Sequence, residues 1–203
     1  MLAALTSFVI AAGVSKTTTA LIAAVAALLA AVVTAGATLL VQRAKDRTEA
    51  TRAEANALTE QLGKLYGPLR LLTEQSLALS DKLREYKPVG WHLLGHLAEV
   101  VDDDADGALA EQIIAVNHRI EDRIFEHAGL LYEGQVPQSF VDFLGHHRSL
   151  SLAYDGVKND RATTGDFTAK QFATYPAQFD QDVKAAYIDL VADRKRLLDQ
   201  LRK

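Results

Sequence analysis

The chain has 203 residues, 22 Lys and Arg against 26 Asp and Glu, a net charge of −4 and no cysteine. Without thiols there are no disulfides, no thiolate catalysis, no cysteine-ligated zinc and no lipoprotein-type anchor, and the composition fits a reducing compartment. The bases are mixed among acids, so no basic stripe is left to track a nucleic-acid backbone, and DNA or RNA is not an expected partner.

Met1 to Val14 is apolar but reaches only about 21 Å as a helix, too short to cross a bilayer alone. Gly13, Ser15 and the Thr17-Thr18-Thr19 run read as a break followed by helix-capping residues. Residues 1–19 are therefore expected to form an interfacial or re-entrant leader.

Ala20 to Val41 is twenty-two residues without a charge, ended by Gln42-Arg43-Ala44-Lys45-Asp46-Arg47. At about 1.5 Å per residue it reaches about 33 Å, against a hydrocarbon core of about 30 Å. A cleaved signal peptide would want a basic start, a shorter apolar core and a cleavage site. A buried core helix rarely runs this long without a polar face. A transmembrane helix over 20–41 is the expectation. Arg43, Lys45, Arg47 and Arg52 follow it, whereas only Lys16 and the amino terminus precede it. The positive-inside rule then puts the four bases at lipid headgroups and the rest of the chain in the cytoplasm of a bacterial inner membrane. Ala23, Ala27, Ala31 and Ala35 recur every four residues along the span. Small side chains at that spacing let helices approach closely in lipid, so this face is the candidate for self-association.

About 160 residues remain, enough for one domain with a real core. From Val41 onward, apolar or small residues alternate in steps of three and four: Ala44, Thr48, Thr51, Ala55, Leu58, Leu62, Leu65, Leu69, Leu72, Ser76, Leu79, Leu83, Tyr86. This heptad seam continues the helix past the membrane as a stalk over 42–66. Packing against the chain's own later helices is favoured for it over a coiled coil between copies. Gly67-Pro68 predicts a kink or break, because proline lacks a donor and clashes with the preceding turn. A bundle is expected over 67–203.

Three more amphipathic helices are readable. Ile113, Val116, Ile120, Ile124, Ala128 and Leu131 share a face over 109–131; Phe140, Leu144, His147, Tyr154 and Val157 do so over 137–158; Phe179, Val183, Tyr187, Leu190, Leu197 and Leu201 over 179–201. A shorter helix lies near 91–101, Asn159 to Pro176 reads as a loop, and no strand alternation appears. The fold class is all-α, an up-and-down bundle of about four helices on a membrane stalk.

Three clusters carry potential chemistry, and each has a plainer reading. Asp102-Asp103-Asp104-Ala105-Asp106-Gly107 opens like a calcium loop, but the closing bidentate acid falls at Ile113, so a solvated turn charging the next helix's amino end is preferred. His92, His96 and Glu99 are spaced for one helix face, as in a divalent-metal site, yet Trp91, Leu93, Leu94 and Leu97 make a packed boundary the simpler account. In the third, His118, Glu121, Asp122, Glu126 and His127, His118 and Asp122 are one turn apart and would suit a base and its orienter. No nucleophile accompanies them, and Arg119 and Arg123 suggest a salt-bridged face. His147, beside His146, reads as a core histidine. No catalytic, cofactor or metal site is expected.

Leu65-Tyr66-Gly67-Pro68-Leu69, the later Val136-Pro137-Gln138-Ser139-Phe140-Val141-Asp142-Phe143-Leu144, and Tyr175-Pro176 with Phe179-Asp180 together resemble small, largely uncharacterised bacterial single-span membrane proteins with an all-helical cytoplasmic domain. The likeness covers most of 58–203 and implies the anchor and the fold, with no catalytic residues attached. The expected function is a membrane-anchored interaction or scaffold protein without catalysis, whose partners are the bilayer, further copies of itself and an unknown protein. A membrane-perturbing or pore-forming effector, for example in phage defence, is the alternative, and a tethered metal-dependent hydrolase a more distant one.

Overall fold

The computed structural model describes residues 16–131, 134–159 and 175–202, and every regular element among them is helical. The apolar leader before residue 16 and most of the loop expected over 159–176 lie outside the described residues. The chain divides into two units between Arg52 and Ala53.

Helix α1 runs from Lys16 to Gln61. Thr17, Thr18 and Thr19, expected as caps, are already inside it. An 18-residue window of mean hydropathy 2.4 contains no buried residue, and Leu28, Val33 and Leu40 are each 66–70% exposed. A helix this apolar in a water-soluble fold would be covered, because each large aliphatic side chain left in water forgoes about 1.5–3 kcal/mol. One helix is therefore long and apolar enough to span a membrane. Its threonines suit such a setting: Thr34 Oγ1 donates to Ala30 O and Thr38 Oγ1 to Thr34 O, both at 2.8 Å, so neither hydroxyl needs water.

The second unit starts with Ala55 already buried, followed by Leu65 and Tyr66. Its core thus begins upstream of the Gly67 boundary drawn from the sequence. The expected kink or break at Gly67-Pro68 takes the form of a single π turn, Leu62–Tyr66, leading directly into α2, Gly67–Arg84. The wider turn carries the Gly67 N–H to Leu62 O. Pro68 then occupies the first turn of α2, where its missing donor costs little. The turn also explains the glycine: a Cβ at Gly67 would sit 2.6 Å from the Leu62 carbonyl oxygen.

After α2 come the short α3, Leu97–Asp102, and the longer α4, Asp104–Glu126, α5, Gln138–Lys158, and α6, Ala177–Leu201. The four long helices close a ring: α2 packs on α4, α4 on α5, α5 on α6, and α6 back on α2. Helix α3 fills one end against α4 and α5. The heptad seam from Ala55 to Leu83 faces this interior, with Leu65, Leu69, Leu72, Ser76 and Leu83 buried. Tyr86 falls beyond the helix end and is 86% exposed.

Two apolar clusters fill the bundle. The first joins Leu65, Tyr66 and Leu69 to Ile120, Phe140, Phe143 and Phe179. The second joins Leu83, Trp91, Leu97 and Val100 to Ile113, Leu150 and Tyr154. Leu79 packs on both. Phe143 stacks on Phe179 at 4.3 Å, and Phe140 meets the same ring edge-on at 4.9 Å. Ser76 on α2 donates to Asn117 Oδ1 on α4 across 2.7 Å, a buried polar pair that only one register of the two helices satisfies.

Gly67→Ala should destabilise the folded chain by about 1–3 kcal/mol, since backbone must shift to admit the methyl group. Gly63→Ala, one turn earlier with nothing within 4 Å of a new Cβ, should be neutral or stabilising by up to about 1 kcal/mol. Thermal melts of both variants in mild detergent check this, and equal effects would contradict the role given to the π turn.

Candidate functional site

The acidic run is a helix junction. Asp102 ends α3, and Asp103 caps α4 by accepting from the Ala105 and Asp106 amides, both at 2.9 Å. These bonds, that from Asp106 foremost, hold the Asp103 carboxyl below the usual carboxylate range. Asp106 pairs with Lys87. From Asp104 through Gly107 the backbone is helical, so the acids fan around a first turn rather than converge as in a calcium loop. Ile113, where the closing acid would stand, is buried in the core.

The second cluster does not form one helix face. His92 is extended and its Nδ1 lies 3.0 Å from Gly90 O; Leu93–His96 is a 3-10 turn; α3 begins only at Leu97. His96 lies 3.2 Å from Glu99 through Nδ1 and stacks on Trp91 at 5.5 Å. His96 is tied into the bundle end by packing, whereas His92 and Glu99 are exposed.

The third cluster splits. Toward one side, Arg123 Nη1 reaches Glu126 at 3.3 Å and His127 Nε2 at 3.0 Å. Asp122 lies with Arg119 and Arg123 along a separate open groove, so it does not orient His118. Toward the other, His118 Nδ1 stands 3.2 Å from Glu121 Oε2. The unforeseen partner arrives from α5: His147 Nε2 lies 3.4 Å from the same oxygen. Arg148 Nε holds the other carboxylate oxygen, Oε1, at 2.8 Å.

This arrangement is costly to bury and well supported. The side chains of Glu121 and His147 are only 4% and 2% exposed, whereas His118 is 57% exposed. Arg148 compensates the buried carboxylate. The His147 ring lies parallel to Phe143 at 6.3 Å, extending the aromatic column of the core, and its Nδ1 is 3.5 Å from Ser151 Oγ. Burial drives the His147 imidazole down to about 4, outweighing the pull of Glu121. The ring is thus neutral at physiological pH, with Nε2 directed at a carboxylate oxygen that His118 also faces. One ligand atom from each of His118, Glu121 and His147 lies within 4.8 Å of the other two. An open groove of about 410 Å³ adjoins them, lined also by Arg148, Ser151, Tyr154 and Lys158.

The reading of His147 as a core histidine was right about its burial and missed its partners. The sequence pairs His118 with Asp122 one turn on, whereas its partner is Glu121, three positions on, a spacing that equally brings side chains together on a helix. Nothing in the sequence spacing brings a residue twenty-six positions beyond Glu121 to the same point. The motif residues that carry the family resemblance are structural: Leu65, Tyr66, Leu69, Phe140, Phe143 and Phe179 share one core cluster, and Tyr175 donates to Asp180 at 2.6 Å. Comparison of the chain with family models, with curated proteins and with solved structures gave no match.

Asp103→Ala should lower the melting temperature, whereas Asp103→Asn keeps the cap and should restore most of it. Because folding lowers this carboxyl's pKa, its contribution is present above the ordinary carboxylate range and disappears as pH falls through the folded value. The deficit of Asp103→Ala should therefore shrink in acid. Calcium should leave the wild-type melting temperature unmoved, and a rise that Asp104→Asn abolishes would overturn this assignment.

Proposed function

We propose that the chain is a bacterial inner-membrane protein that crosses the bilayer once and holds its helical bundle in the cytoplasm as a non-catalytic interaction module, with a second copy of itself as its first partner. The observation that carries the reading is the apolar segment of α1 in which no residue is buried. Arg43, Lys45, Arg47 and Arg52, all exposed, are placed to meet anionic headgroups on the cytoplasmic face, which gives the orientation.

Self-association is supported by what remains uncovered. Ala23, Ala27, Ala31 and Ala35 are exposed, and Ala44 and Thr48 of the seam are too. The seam below Ala55 is occupied by the chain's own helices, so contact between copies belongs to the membrane segment and the turns just after it. The span suits an anchor better than a water-filled pore, since both its central hydroxyls are bonded to its own backbone.

A reporter fused after Lys203 should be active only in the cytoplasm, with replacement of the four bases by neutral residues weakening the orientation; periplasmic activity of the wild-type fusion would reject the topology. Ala27→Leu combined with Ala31→Leu should reduce the oligomer's size in mild detergent without changing insertion. A wild type that is monomeric, or an oligomer the double variant leaves intact, would reject the interface.

A further inference from the structure

The geometry points to a divalent transition-metal site, best suited to zinc, formed by His118 Nδ1, Glu121 Oε2 and His147 Nε2 at the contact of α4 and α5. Two ligands bound tetrahedrally at about 2.0–2.1 Å from zinc stand about 3.4 Å apart. The Glu121 oxygen lies 3.2 Å and 3.4 Å from the two imidazole nitrogens. A small cation therefore needs only a modest shift of side chains to bind all three.

The surroundings favour binding over a purely structural ion pair in three ways. Arg148 occupies Oε1 and leaves Oε2 facing the histidines. Such a bond orients a ligating carboxylate without competing for the metal. His147 is fixed by stacking on Phe143, which holds its Nε2 toward Glu121. Two imidazoles and one carboxylate are the donor set of many zinc and non-haem metal sites, with the remaining position open. Here the open position would face the groove bordered by Ser151 and Lys158. Because Glu121 and His118 belong to α4 and His147 to α5, the ion would clamp two helices of the bundle. This site is independent of the membrane reading.

The test uses the tag-free full chain in detergent micelles, stripped with EDTA and titrated with Zn²⁺ alone. One zinc per chain should bind and raise the melting temperature. His118→Ala, which alters the exposed member, should lower metal-free melting only slightly, since Arg148 and His147 still support Glu121. It should weaken zinc binding by more than roughly a hundredfold, beyond what loss of a supporting hydrogen bond costs. His96→Ala should bind as wild type. Cobalt in place of zinc should give the intense visible bands of a tetrahedral site in the wild type and lose them in both His118→Ala and Glu121→Gln. Absence of stoichiometric zinc, binding that survives His118→Ala, or binding that follows His96 instead would overturn the site.

Discussion

An apolar helix that no other described residue covers is the constraint on which the rest of the structure depends. Its backbone groups are satisfied internally, as only a helix or a closed barrel allows in hydrocarbon. The four-helix ring, for its part, buries its own faces: α2 against α4, α5 against α6, with the leucine seam turned inward. On the proposed reading, the Ala20 to Val41 surface meets lipid or another copy, and the bases that follow mark the point where the chain meets water.

The bundle depends in turn on a small piece of backbone. Passing Gly67-Pro68 through a π turn keeps Leu65, Tyr66 and Leu69 on one buried face while accepting a proline that an unbroken α-helix would reject. From that end the core runs as an aromatic column, Phe179 to Phe143 to His147. It finishes on Glu121, the only acidic side chain buried among the described residues. The polar site is therefore held by the same packing that holds the fold.

Much of this was legible because helical periodicity is a local signal. Ile113, Val116, Ile120 and Ile124, like Val183, Leu190 and Leu197, were read as buried and are. On α5 the stripe was read in part: Phe140, His147, Tyr154 and Val157 are buried as expected, but Phe143, Leu150 and Ala153 are buried too, and Gly145, Ser149 and Ser151 among them dilute the pattern. The expected kink or break at Gly67-Pro68 was right that the α-helix is interrupted and silent on how. Proline excludes an α-turn but not a π turn, and the sequence carries no mark of which relief the chain adopts. The site was opaque because its decisive contact, His147 to Glu121, joins two helices, and tertiary pairing has no signature in residue spacing. The plainer readings of the acidic run and of His92 with His96 fit the structure, since capping and packing are local physics as well.

The most direct test of the account uses the absence of native cysteine. Single substitutions Ala31→Cys and Ala50→Cys, labelled with a membrane-impermeant maleimide in sealed and in opened cells, report whether each position meets water. The account predicts that position 31 stays unlabelled in both until detergent is added, while position 50 labels only once the cytoplasmic face is exposed. Rapid labelling at position 31 in intact membranes would contradict the central claim that this segment of α1 lies in lipid.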